Sequence, residues 1–495
     1  MSTRLALLGS FALSLLLTGC PLTDHYTLQS DDLGGSGGAA DSGGAGLGGA
    51  SVVPGGSGGT SADAGAADAA TGGDRGGGSA AGSSGNWGGS GAGGSGGDTG
   101  CVSGCSASQT CCASSCVNLT DDAQNCGACG TVCNVGRSCV ASVCKSGWVN
   151  MSATAITPRS RAAIVAMGKS VFIWGGLDDD GNALADGAIY TPATDTWKTL
   201  PKGAGAPTAR ITPSAVWTGS VVIVFGGSDA NVQNFNRDGG IYDPTANAWS
   251  VLPAPTTISR RNMPLAYWDG SRAVFWGGTG ANATGVAGAD RFDLSNWTNA
   301  TNGGDPGALL YPAFGFDGSV LYLQGGILNG NRQDKVYSYT GSTNKWASLN
   351  KSLSARSSAF SAWDGSHFVV WGGRDDNGLR NDGKYLSGTT WTNVDTFGAP
   401  SARMIAIRRS GWSFQVSPGV VAVMGGQVSL APSGKLTTNN GGVYNTETSA
   451  WATIPDWSST DTHEYGMGAW TGEEFIVWGG RNDNGSTNTG QRWAP

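Results

Sequence analysis

Five arginines recur along the C-terminal two thirds of the chain: Arg159, Arg210, Arg261, Arg356 and Arg403. A guanidinium is a planar fork of donors that matches a carboxylate bidentately. A near-ring of such groups is a candidate site for carboxylated or otherwise anionic glycans. The same side chains have a competing use, which is to brace backbone carbonyls of the scaffold. Four of them lie 16 residues before a Gly-Gly pair; the same offset falls on Leu309 and His463 in two other repeats, and Arg403 sits further back. His463 is followed by Glu464, the one attractive acid–base pair of the region. Such a pair is what proton transfer on a sugar needs. No nucleophile–base constellation accompanies it.

Ten cysteines crowd into fewer than fifty residues: Cys101, Cys105, Cys111, Cys112, Cys116, Cys126, Cys129, Cys133, Cys139 and Cys144. In an exported chain an even number at this density implies a disulfide framework, with connectivity open. Zinc is the alternative, but the segment has a single C-x-x-C (Cys126 to Cys129) and no nearby His, so no metal is expected there. The loops Asp178-Asp179-Asp180-Gly181, Asp375-Asp376-Asn377-Gly378 and Asn482-Asp483-Asn484-Gly485 offer oxygen ligands of the kind calcium takes. None matches the EF-hand pattern, and turn chemistry accounts for them equally well.

The elements that must position these groups repeat seven times. An apolar run ends in a glycine pair beginning at Gly175, Gly226, Gly277, Gly325, Gly372, Gly425 and Gly479, at spacings of 51, 51, 48, 47, 53 and 54 residues. A tight turn such as Asp269-Gly270 or Asp364-Gly365 precedes most runs and marks a hairpin. An aromatic and then a Trp follow: Tyr190 and Trp197, Tyr242 and Trp249, Phe292 and Trp297, Tyr339 and Trp346, Tyr385 and Trp391, Tyr444 and Trp451. Each repeat therefore reads as a four-stranded meander, the unit of a propeller blade. This set of glycine pair, spaced aromatic and Trp over residues 147–495 resembles the kelch repeat, which implies an all-β, seven-bladed propeller. Phe292 and Trp493 stand where the family has Tyr. The seventh repeat stops at Pro495, short of a fourth strand, while Trp148 in Gly147-Trp148-Val149-Asn150 has no strands before it. Residues 147–155 are therefore expected to complete the last blade.

The stretch from Thr110-Cys111-Cys112 through Asn125-Cys126-Gly127-Ala128-Cys129-Gly130 resembles the stigma-specific cysteine-rich secreted family, over roughly residues 101–145. It is expected to serve as a rigid spacer or a small adhesion domain. Upstream, Arg4 and the apolar run Leu5 to Leu17 form an export signal too short for a comfortable membrane span. The run ends in Leu17-Thr18-Gly19-Cys20, which resembles the bacterial lipobox. That resemblance implies a signal peptide over residues 1–19, cleavage before Cys20 and acylation of Cys20. Several acyl chains hold a protein stably at a membrane. The Gly, Ser and Ala-rich stretch within residues 20–100 cannot offset its ordering entropy and reads as a tether, with a root-mean-square reach of roughly 45–50 Å.

With 36 acidic against 29 basic residues and a net charge of −7, the chain is a poor nucleic-acid binder. The expected function is that of a binding or adhesion lipoprotein of the bacterial cell envelope, in the outer membrane. Its expected partner is a glycan or an envelope or extracellular protein, and membrane contact is through the lipid anchor alone. The alternative is a kelch-type carbohydrate-active enzyme such as a sialic acid mutarotase, with His463 and Glu464 as its acid–base pair. No cofactor is expected. Copper oxidases of the galactose oxidase type need a Tyr cross-linked to Cys, and the repeats contain no Cys and only two His, His367 and His463.

Overall fold

A computed structural model describes residues 105–495, apart from 107, 113, 114, 121, 123, 134–136, 141, 282, 283, 301–303, 352, 406–410, 431–436, 458–463 and 483. The signal peptide, Cys20, the tether, Cys101 and His463 therefore lie outside the described residues. Seven four-stranded antiparallel sheets are arranged as the blades of a propeller. In blade one the strands are Ala163–Met167, Ser170–Trp174, Gly187–Thr191 and Thr196–Thr199, paired in that order. The fourth strand of blade seven is Trp148–Asn150, antiparallel to Gly490–Trp493 with Trp148 opposite Trp493. The 3-10 turn Pro192–Thr194 joins the third and fourth strands of blade one.

The second strand of each blade is its most buried element. Val222, Ile223, Val224 and Phe225 are all fully enclosed. β-branched and aromatic side chains suit such a two-sided position. The core consists of clusters between neighbouring blades. The residue before the glycine pair packs on the outer Trp of the next blade: Trp174 on Trp249 (ring centroids 6.0 Å apart), Trp276 on Trp346 (5.8 Å), Trp371 on Trp451 (5.3 Å) and Trp478 on Trp197 (5.5 Å). In blade four the equivalent residue is Gln324.

One expectation needs correcting. In blade five Leu386, not Tyr385, lies opposite Trp391 and takes the buried position. The aromatic-to-Trp gap is one residue shorter there than in blades one, two, four and six, and with a period of two that slip turns Tyr385 to the other face. Tyr385 instead packs on the His367 ring, centroids 5.0 Å apart.

The cysteine-rich segment consists of two short hairpins, Thr110–Cys112 with Ser115–Val117 and Arg137–Val140 with Val143–Ser146. Disulfides join Cys105 to Cys116, Cys112 to Cys129 and Cys126 to Cys139. Cys111 and Cys133 are disulfide-bonded as well. The sulfurs of Cys126, Cys133 and Cys139 converge within 4.8 Å, but a disulfide sulfur is not the thiolate that zinc requires.

Candidate functional site

The five arginines do not face solvent. Arg159 and Arg210 are 0% exposed, and Arg261, Arg356 and Arg403 are 1% exposed. Nη1 of each donates to the first glycine carbonyl of its own blade: Gly175 (3.1 Å), Gly226 (3.0 Å), Gly277 (2.8 Å), Gly372 (3.1 Å) and Gly425 (3.1 Å). It also donates to a carbonyl just ahead of or at the start of the third strand, such as Asp186 (3.1 Å) and Asp238 (3.0 Å). The backbone carbonyl of each arginine accepts from the second glycine of the preceding blade, as from Gly480 to Arg159 (2.8 Å) and Gly227 to Arg261 (3.0 Å). Each arginine thus rivets one blade to the next. The expected ring of cations at the channel mouth is set behind it, because the carbonyls left by the glycine pairs need donors and no water reaches them.

Burial lowers the pKa of Arg159, Arg210 and Arg261 below the usual guanidinium value, opposed by Asp186, Asp238 and Asp290 respectively. Arg403, helped only by Asp456, falls to about 10. Blade four has Leu309 at this position, buried among Trp276, Leu321 and Leu323.

The residues that do surround the channel lie two positions further on: Arg161, Thr212, Met263, Tyr311, Ser358, Ile405 and Tyr465, each half-buried. Six have left-handed backbones, with φ of 59° at Arg161, 49° at Thr212 and Met263, 51° at Tyr311, 57° at Ser358 and 54° at Tyr465. Such conformations are costly away from glycine, most of all for a β-branched Thr, and gather at functional sites. Two sets of backbone hydrogen bonds enforce them. The preceding residue bridges to the one after the glycine pair in all seven blades, from Ser160 with Leu177 to Glu464 with Arg481. Residues of this set are also linked blade to blade at five of the seven seams: Thr212 N–H to Arg161 O (2.8 Å), Met263 to Thr212 (3.3 Å), Ser358 to Tyr311 (3.0 Å), Ile405 to Ser358 (2.8 Å) and Arg161 to Tyr465 (3.4 Å). The mouth is thus a stiff backbone hoop. On it the Arg161 guanidinium lies 4.2 Å from the centre of the Tyr465 ring, and the Thr212 hydroxyl donates to Asn262 Oδ1.

Glu464 belongs to this hoop through its backbone bridge to Arg481 (2.8 and 2.6 Å). The Asp and Asn loops are held by turn chemistry: Asp178 Oδ1 accepts from Asn182 N–H (2.7 Å), Asp375 Oδ1 from Asn377 N–H (2.9 Å) and Asn482 Oδ1 from Asn484 N–H (2.9 Å). Two loops also reach their neighbours. Asp179 accepts from Ser486 N–H (2.7 Å), and Arg332 pairs with Asp376 (2.8 Å).

Comparison with known proteins agrees with this architecture. Residues 137–307 match the KLHDC2/KLHL20/DRC7 Kelch-repeats domain, and residues 97–147 match the Stigma-specific STIG1-like protein family. β-Scruin of Limulus polyphemus is 26% identical over 140 residues, 26% of this chain and 15% of that protein. The F-box/kelch-repeat protein SKIP20 of Arabidopsis thaliana is 34% identical over 96 residues, 19% of this chain and 23% of that protein. The match thus spans less than a quarter of each of these relatives.

Proposed function

We propose that this chain, a seven-bladed kelch-repeat propeller behind a stigma-specific-type cysteine-rich module, is a binding protein whose ligand docks on the channel mouth. A kelch propeller is a binding scaffold, and its chemistry lies in the site rather than the fold. The observation that carries the reading is the hoop of left-handed, half-buried residues. Strain maintained in six of seven blades holds Arg161, Met263, Tyr311 and Tyr465 around one opening without cost at the moment of binding. These side chains combine a cation, a thioether and two phenols. That combination suits an acidic glycan or a protein segment with an anionic and an apolar group. Acylation at Cys20 and the tether that follows it hold this face away from the envelope, so the partner is extracellular or on the envelope surface.

The test is binding of the full chain, in detergent, to an array of acidic and neutral glycans and to surface proteins of neighbouring cells. Arg161→Gln and Met263→Gln are compared with it. Loss of binding by at least about tenfold, with melting temperature unchanged, is the expected result, since a well-placed contact is worth more than 1.4 kcal/mol. Wild-type binding by both variants moves the site off the mouth.

A further inference from the structure

The seam between blades seven and one, on the face opposite the mouth, contains a carboxyl group for which the binding role has no use. Glu474 opens the second strand of blade seven, just ahead of Phe475–Trp478, and is 1% exposed. Neither of its oxygens accepts a hydrogen bond. The cation acting on it is Arg492, whose Nη1 is 3.8 Å from Oε2. That same Nη1 donates to the carbonyl of Pro192, in the outer turn of blade one, at 2.6 Å. Arg492 thus ties the closing strand Gly490–Trp493 to the next blade, and Glu474 competes for it.

The other groups around the seam fix the balance. Asp195, in the same turn, accepts from the Tyr190 hydroxyl (2.6 Å) and from Ser152 N–H (2.9 Å). Ser152 Oγ donates to the Asp195 carbonyl (2.6 Å), which fastens the segment after Trp148–Asn150 to blade one. Asp195 is satisfied and stays ionised, with its pKa lowered by hydrogen bonds from Tyr190 and Ser152 that outweigh desolvation. Burial raises that of Tyr190, which stays neutral. Glu473 faces outward and pairs with Lys169 of blade one. At the seam between blades three and four Arg291 has the place of Arg492, donating to Tyr339 Oη (3.0 Å) and the Gly341 carbonyl (3.4 Å). There Arg272 stands where blade seven has Glu474, and the acid of that seam, Asp269, already accepts from the Ser271 and Arg272 N–H groups of its own turn (2.9 and 2.6 Å).

We propose that Glu474 makes the ring closure a proton-dependent latch: with the carboxyl neutral, Arg492 holds the Pro192 carbonyl and the seam is shut. Once the proton leaves for solvent, the buried carboxylate draws Arg492 away or admits water, and the closing strands loosen from blade one.

Burial pushes the Glu474 carboxyl up from the ordinary value of 4.5 to about 7, with Arg492 opposing and Glu473 and Asp195 adding to the rise. An acid whose pKa is raised in the closed state binds its proton more tightly there. Its stabilising effect is complete below about pH 4.5 and is lost as pH rises through about 7.

The test is hydrogen exchange of the full chain at pH 5.5 and 7.5, corrected for intrinsic exchange rates and read on peptides covering residues 148–155 and 490–495. Linkage predicts that seam protection falls about twentyfold over this interval. Peptides over Ser214–Trp217, in blade two, stay flat. Glu474→Gln abolishes the fall and keeps the low-pH protection at pH 7.5. Arg492→Gln, which removes the cation that lowers the Glu474 pKa, carries the fall to higher pH. Equal pH dependence in wild type and Glu474→Gln, or no dependence in wild type, overturns the proposal. If Glu474→Gln does not fold, a fall at unchanged pH in Arg492→Gln overturns it too.

Discussion

At the residue scale the arginines matter more for what they hold together than for their charge. Arg210 satisfies the Gly226 and Asp238 carbonyls, and the Thr208 carbonyl accepts from its Nε (2.8 Å). Arg210→Met keeps much of the volume and leaves these acceptors stranded in a dry interior. Each stranded acceptor costs about 1–3 kcal/mol, so a loss of about 3 kcal/mol in a denaturant melt is expected. A loss below about 1 kcal/mol, within the surface-substitution range, would mean that water replaces the guanidinium. The register of these arginines was plain in the sequence, and so was their competing scaffold role. The hoop two residues later was not. No propensity rule places Thr212, Met263 or Tyr311 in the left-handed region, because tertiary hydrogen bonds, not local preference, put them there. A positional signal was available: seven residues at one fixed offset that share no chemistry, which is how a variable ligand face looks on a constant frame.

At the element scale the glycine pairs could be read from spacing alone, and the geometry shows why they recur. The second glycine has φ between 86° and 107° in all seven blades. A Cβ there would meet the carbonyl that bridges to the following residue, at 2.7 Å from Ile211 O for Gly227. Both the conformation and the contact require glycine. Gly219, in the hairpin turn of the same blade, has φ of 95° but nothing within 4 Å of an added Cβ. Gly227→Ala therefore costs about 3 kcal/mol, the left-handed penalty plus a clash. Gly219→Asn costs less than about 1 kcal/mol, because Asn tolerates this region. Thermal melts of the two variants separate the contributions, and equal losses would show that conformation alone matters. The changes in blade four were legible only in part. Gln324 replaces the large apolar residue before the pair, and Val336 replaces the glycine found opposite that residue in blades one, two, five, six and seven. A smaller side chain on one strand makes room for a larger one on its partner. Such compensation shows only once the pairing register is known.

At the scale of the whole molecule, closure depends on two segments, Trp148–Asn150 and Gly490–Trp493, that lie more than 300 residues apart. The sequence shows a seventh repeat lacking its outer strand and an orphan Trp148. The packing shows what their union contributes. Trp148 lies against Trp457, Phe475 and Trp493 with ring centroids 5.7, 6.4 and 6.4 Å apart, and its Nε1 donates to the Pro455 carbonyl at 2.9 Å. Aromatic contacts of this kind add about 0.5–1.5 kcal/mol each beyond burial. Replacing residues 148–150 by Gly-Gly-Ser in the full chain removes those contacts and leaves the outer side of Gly490–Trp493 unpaired. An open edge of this sort pairs with other chains. The expected result is a melting temperature lower by roughly 5 °C, given about 1–2 °C per kcal/mol for a body of this size, with dimers or larger species on size-exclusion chromatography. Deleting residues 30–90 instead, within the proposed tether, is expected to leave the melt unchanged. If the Gly-Gly-Ser chain stays monomeric with an unaltered melt, a three-stranded seventh blade suffices to close this ring, and Trp148–Asn150 serves to position the cysteine-rich module rather than to hold the propeller shut.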